Sequence, residues 1–435
     1  MTRRSFSTDV ALLTGVRFGS VGAAFITNVL AARLLGAAGL GAAAVAIVIG
    51  TLSVLIANGG LGITSIYFLG RRPEQRTAIV NNIAAMTMVS VLVAMLLMLA
   101  LIPPTLAFVL PPGHSPGVLI AAVVLVPVML AADVGGATLL GLHARGRYMG
   151  LEAIRNFGTL VATAIVLGVG ARTEEAYVLA IAGATAVAAV VAWAGVARVS
   201  GVIHPRFDRS FVRESLSMGI RGQAGNVLLF VNLRLDLLLV SALLRVEAAG
   251  IYLVALRVGE VVVQVANSVA ALIFPQVASQ ADPGDTTSTE RATRVTLSIV
   301  AISAVALALV AEPLLTIAFG EGFRAGTAAL RIMLLGMVPL ALSRIVTSDL
   351  KGRGRADLVS IANLLGVGLT AVFGLLLIPP FGIEGAAMAS VGAYLGLTIA
   401  LLFAYRYVTR APLRRLVPRP ADAHLIWDLG RRALR

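Results

Sequence analysis

The stretch RRPEQRTAIVNNIAAMTMVSVLVAMLLMLALIPPTLAFVLPPGH, Arg71 to His114, decides how the chain is read. It opens on three arginines (Arg71, Arg72, Arg76), runs apolar from about residue 78 to about 101, and closes on a Pro-rich loop whose only titratable group is His114. About 20 apolar residues suffice for a helix to cross a hydrocarbon core of roughly 30 Å. Flanking arginine on one side only tells which end stays in the cytoplasm. One crossing and its direction therefore follow from this stretch alone.

Extending outward, the pattern recurs. Apolar stretches lie at about 10–34, 40–69, 78–101, 117–141, 150–170, 175–197, 215–242, 248–273, 292–311, 327–348, 358–378 and 384–408. Arg3, Arg4, Arg145, Arg147, Arg155, Arg198, Arg206, Arg209, Arg213, Arg291, Arg294, Lys351, Arg353, Arg355 and the C-terminal arginines fall on the side of Arg71. The opposite side holds only Arg172, Arg245 and Arg324, with Arg33 at a helix end. Both termini are expected in the cytoplasm of a bacterial cytoplasmic membrane, as an even number of spans requires. The net charge of +14 thus reflects topology, and nucleic acid is not expected as a partner. A hydrophobic content of 58% and mean hydropathy of +0.94 exclude a soluble class. The N-terminal stretch lacks a small-residue cleavage site and reads as the first span, not as a removed signal peptide.

The expected organisation is an all-α polytopic membrane protein with twelve transmembrane helices in two pseudo-symmetric six-helix lobes. The N-terminal lobe covers 1–200, a cytoplasmic linker 201–214, the C-terminal lobe 215–408 and a basic cytoplasmic tail 409–435. An internal repeat of about 210 residues is suggested by ARGRYMGLEAIRN (Ala144 to Asn156) against GRGRADLVSIAN (Gly352 to Asn363). LLGAAGLGAAAVA likewise matches LLRVEAAGIYLVA. The tail segment Leu425, Ile426, Trp427, Leu429 fits either a short helix on the anionic leaflet or an irregular topogenic tail.

Polar groups inside spans are costly, about 2.5–3.5 kcal/mol for a charge on insertion scales, so they face a cavity or a partner. Arg17 and Asn28 share a face of span one, although Arg17 is near enough to the cytoplasmic end to snorkel. Thr51, Asn58 and Ser65 share a face of span two, where Asn58-Gly-Gly-Leu-Gly62 can bend the helix or permit tight packing. Span eight carries Arg257, Glu260, Gln264 and Asn267 at 3–4–3 spacing, hence on one face. Mutual neutralisation explains Arg257 and Glu260 but not the two amides beyond them. Span seven places Arg221, Gly225, Asn232 and Asp236 together, with Arg234 pointing away. Asp133, Asp236 and Glu260 are either ion-coupling sites or halves of ion pairs. The in-span inventory leans cationic: Arg17, Arg221, Arg234, Arg257, Arg331 and Arg344 against those three acids. Converging guanidinium groups suit phosphate oxygens, which makes Arg17, Arg257, Asn28, Asn58, Gln264, Asn267 and Arg221 the substrate-binding candidates.

No phosphate loop, zinc-helix motif or nucleophile elbow is present, and no cofactor or metal is implied. The four histidines (114, 143, 204, 424) do not cluster. Outward loops are too short for the catalytic groups of a glycosyltransferase or polymerase, so the chain is not expected to be an enzyme.

AARLLGAAGLG (Ala31 to Gly41), NGGLG (Asn58 to Gly62), LDLLLV (Leu235 to Val240), AAGIYLVALRVGE (Ala248 to Glu260), IFPQVA (Ile273 to Ala278) and GIEGAAMAS (Gly382 to Ser390) occur in an order that carries a resemblance. The chain resembles the polysaccharide-export branch, the Wzx-like oligosaccharide flippases, of the multidrug/oligosaccharidyl-lipid/polysaccharide exporter superfamily. The resemblance spans essentially residues 8–408. It implies a V-shaped fold like that of the multidrug MATE exporters, moving a polyprenyl-diphosphate-linked oligosaccharide by alternating access for surface polysaccharide synthesis. It further implies membrane lipids, a polysaccharide polymerase and glycosyltransferases as partners. Arg17 and Arg257 resemble the cavity arginines of lipid II flippases. Unlike those flippases, the chain lacks two further C-terminal helices, which argues for another glycan. The competing expectation is an ion-coupled drug or metabolite antiporter of the same superfamily, which would line its cavity with acids.

Overall fold

The structure, a computed structural model, describes residues 6–110, 116–278 and 285–417, with side chains from Gly19 on except Pro275. It is helical throughout. The elements are α1 (Phe6–Asn58), α2 (Leu61–Arg71), α3 (Arg76–Phe108), α4 (Gly117–Gly141), α5 (Arg145–Gly168), α6 (Glu174–Ser200), α7 (Arg209–Leu243), α8 (Val246–Ala278), α9 (Thr287–Leu309), the short α10 (Ala311–Leu314), α11 (Gly326–Gly352) and α12 (Ala356–Thr409). Ten described helices are long and apolar enough to cross a membrane. The twelve expected crossings reappear once two of these are divided at their breaks. Gly36 (φ 69°) interrupts α1, and Gly382 (φ 59°) interrupts α12. Only glycine takes these conformations without strain, so the loops expected there shrink to single residues.

Many outward positions of the spans are apolar and uncovered, as on α3, where Leu92 and Leu96 are 60% and 66% exposed. Inward faces use small residues to bring helices close. A side chain at Gly135 would strike Ala192 and Trp193, and one at Gly336 would strike Val391 and Tyr394.

Contacts divide the chain into two compact units, 1–227 and 228–435. The division lies inside α7 and not in the expected 201–214 linker, because the start of α7 is held by the first unit. Arg72 donates to both carboxylate oxygens of Glu214 (3.1 and 2.7 Å), and Ser215 bonds Thr64 at 2.9 Å. The helix ends repeat as well. Gly141 and Gly352 close α4 and α11, and Gly170 and Gly382 are the left-handed residues one helix later. In this register ARGRYMGLEAIRN and GRGRADLVSIAN are offset: Arg145 begins α5, whereas Arg353 caps α11.

The basic tail begins ordered. Leu416 is buried, and the Arg415 carbonyl accepts from Arg294 at 3.0 Å. The segment Leu425 to Leu429 lies outside the described residues, as does His114.

Candidate functional site

Within the second unit, α7 and α8 carry the charges. Arg234 donates to Glu260 at 2.9 Å, and Arg257 reaches the other Glu260 oxygen at 3.3 Å. Glu260 is therefore shared by two guanidinium groups, one on each helix. Arg344 of α11 lies within electrostatic range of Glu260, Arg234 and Tyr394, and its buried Nε has no hydrogen-bond partner among the described residues. Three cations thus gather near Glu260, and Arg234 is within electrostatic range of Asp236 as well. The expectation that Arg234 points away holds only for the face carrying Asp236: Arg234 turns toward α8 instead.

The α8 stripe is accessible. Arg257, Gln264 and Asn267 are exposed, Asn267 bonds Gln264 at 3.3 Å, and the intervening Val258, Val262 and Val263 are buried. Arg257 and the two amides consequently form one polar strip leading from the cluster.

Span seven behaves differently from the expected common face. Asp236 is 2% exposed and Arg221 is exposed, so they do not line one open surface. The Asp236 carboxylate accepts from Tyr252 (2.7 Å), Ser390 (2.9 Å) and the Leu237 amide (2.8 Å). Asn232, also buried, accepts from Thr370 at 3.2 Å. Sequence reasoning missed Tyr252 and Ser390, which stand 16 and 154 residues from Asp236. An acid inside a span signals that donors must exist, but not which ones.

In the first unit, Asp133 of α4 accepts from Arg155 of α5 at 2.9 Å, and Glu152 binds the same guanidinium at 3.1 Å. Asp133 and Glu260 are thus ion-paired, while Asp236 has no arginine at salt-bridge distance among the described residues. Asn28 spends its amide on the Ala24 carbonyl of its own helix at 2.7 Å. The side chain of Arg17 lies outside the described residues.

Asn58 sits at a second interruption. Gly59 (φ 55°) and Gly60 (φ 86°) separate α1 from α2, and the Gly60 Cα presses on the backbone of Gly219 in α7. Breaking a helix in hydrocarbon strands backbone groups that must be met internally. Gln223 donates to the Leu55 carbonyl at 2.9 Å, and the Gly62 amide donates to Asn58 at 3.4 Å. Ser65 spends its hydroxyl on the Leu61 carbonyl at 2.6 Å. Asn58 therefore serves the bend itself, through its own side chain.

Comparison with known proteins agrees with this architecture. The fold is similar to that of an inward-facing multidrug resistance MATE family transporter of the multidrug/oligosaccharidyl-lipid/polysaccharide exporter superfamily (TM-score 0.64, 14% identity, 88% of this chain and 94% of that one). It is similar too to the lipid II flippase MurJ in an inward closed conformation (TM-score 0.72, 14% identity, 93% and 89%). A curated relative, an uncharacterized membrane protein of Methanocaldococcus jannaschii, is 27% identical over 196 residues, 43% of this chain; the match spans 38% of that relative's length. Class follows first: a multi-pass membrane protein with the fold of transporters and flippases, not of enzymes. Residues 6–281 match the family described as polysaccharide biosynthesis protein, and the chain belongs to that family.

Proposed function

We propose that the protein is a flippase that carries a polyprenyl-diphosphate-linked oligosaccharide across the cytoplasmic membrane of a bacterium by alternating access, with both termini inside. The observation that carries this reading is the charge of the α7–α8–α11 cluster: Arg234, Arg257 and Arg344 around Glu260. Three guanidinium groups outnumber Glu260 and Asp236, the carboxylates in their electrostatic range, and positive charge in a low-dielectric setting favours an anion. A diphosphate offers the oxygens that guanidinium forks bind best. Gln264 and Asn267 extend the polar strip toward sugar hydroxyls, and Arg17, Arg221, Asn28 and Asn58 are the first unit's candidates. The two units act as pseudo-symmetric lobes, and a polymerase and glycosyltransferases of the same pathway are the expected partners.

The antiporter reading would place its acids in a cationic substrate's path. Here Asp133 and Glu260 are neutralised by arginine, which disfavours it. Asp236, held by hydroxyls, is the remaining carboxylate for ion coupling.

The test follows the appearance of lipid-linked glycan at the outer leaflet in cells carrying Arg257→Ala, Arg344→Ala or Arg17→Ala at wild-type expression. Loss of export is expected in Arg257→Ala and Arg344→Ala. Undiminished export in both would remove the diphosphate role of the cluster.

A further inference from the structure

A cavity of about 520 Å³ opens on the surface of the first unit. Its walls are Ala84, Thr87, Met88, Val91 and Leu92 of α3, Ala131 of α4 and Trp193 of α6, and its end is closed by Ile203 and Pro205 of the connection to α7. The few polar groups here are already satisfied. Trp193 Nε1 donates to the Ala131 carbonyl at 3.0 Å, and the Thr87 hydroxyl donates to Ile83 at 2.7 Å. The groove therefore presents hydrocarbon to hydrocarbon. Ala84 to Leu92 covers about 12 Å along the helix axis, room for a stretch of acyl chain.

Its closed end is built, not incidental. The connection is laced onto α3: the Thr77 hydroxyl donates to Ser200, the His204 amide to the Asn81 side chain (2.9 Å), the Arg206 amide to the Asn81 carbonyl (3.3 Å) and the Asp208 amide to the Asn82 side chain (2.6 Å). These bonds seat Arg206 about one helical turn before Ala84, directly after the wall residue Pro205. Arg206, Arg209 and Arg213 are exposed along this segment, and so are two large apolar side chains, Val202 (73%) and Phe207 (59%). Basic and apolar groups interleaved at the cytoplasmic end of spans are the composition of an interface that meets anionic headgroups.

We propose that this groove is a binding site for an anionic phospholipid of the inner leaflet, its acyl chain lying between α3, α4 and α6 and its phosphate held at Arg206 and Arg209. Charge complementarity selects the occupant: a zwitterionic lipid would fill the same apolar trough but gain nothing from a cationic rim. The site is separate from the cluster of the second unit and does not depend on the transported substrate.

Native mass spectrometry of the full chain in neutral detergent, titrated with phosphatidylglycerol or phosphatidylcholine of the same chains, tests it. The wild type is expected to retain one phosphatidylglycerol in preference to phosphatidylcholine. Arg206→Gln should reduce that preference by about fivefold. Met88→Trp, a substitution at an exposed position that fills the trough, should abolish retention of either lipid while the melting temperature in lipid-free detergent stays at the wild-type value. Equal retention of the two lipids by the wild type, or unchanged retention in either variant, would overturn the proposal. Full competition by soluble glycerol phosphate would overturn it too, since that ligand has no chain for the groove.

Discussion

The two units solve the same problem with opposite surpluses. In the first, Arg155 is clasped by Asp133 and Glu152, two carboxylates to one cation. In the second, Arg234, Arg257 and Arg344 gather around Glu260. The first cluster closes on itself, since its cation already has its counter-charges. The second brings three guanidinium groups near Glu260, with Asp236 in electrostatic range of Arg234, and it is the cluster proposed to take an anion. Having charges inside a span thus says little about function; the local balance of signs separates a fastener from a binding site.

Removing the acid in each cluster sharpens that contrast most. Glu260→Gln removes the carboxylate that Arg234 and Arg257 share, with Arg234 little exposed, and should lower stability by about 4 kcal/mol. A steep fall in melting temperature in detergent is expected, with partial recovery on adding pyrophosphate; no recovery would break the idea that the surplus positive charge seeks phosphate. The helix breaks give the next largest effect. Gly60→Ala combines a left-handed backbone with a collision against Gly219 and should cost about 3 kcal/mol, whereas Gly382→Ala meets open space and should cost about 1 kcal/mol. Equal melting temperatures in the two variants would mean the Gly60 contact is not tight.

Asp133→Asn is expected to cost only about 1 kcal/mol, because the pair is 35–36% exposed and Glu152 continues to hold Arg155. A loss as large as that of Glu260→Gln would erase the distinction between the units. The smallest effect concerns Asp208, which precedes α7 outside the membrane. The Ser210 hydroxyl and then the Ser210 amide hold its carboxyl below the usual carboxylate range. Its contribution is thus present above the unfolded value, about pH 4, and is lost as pH falls through the lower folded value. Asp208→Asn should slightly flatten the acid side of a melting-temperature profile, leaving it unchanged above about pH 5.

How much of this was legible beforehand differs by distance along the chain. The i,i+3 pair Arg257–Glu260 could be read from spacing, and so could the polar strip through Gln264 and Asn267, since one helix fixes its own faces. The glycine run from Asn58 to Gly62 allowed either a bend or tight packing, and the structure shows both at Gly59 and Gly60. The pairing of Asp133 with Arg155, 22 residues away on another helix, could not be read. Neither could the turn of Arg234 toward Glu260, nor the burial of Asp236 against Tyr252 and Ser390.

By itself the sequence determined the membrane class and the apolar stretches long enough to cross, because hydrocarbon thickness acts on each segment locally. Only the tertiary structure decided which charges neutralise which and where the contact boundary falls within α7. It also decided that Tyr252 and Ser390 shield Asp236. Those outcomes depend on which helices pack side by side, and hydropathy is nearly the same for every choice of neighbour.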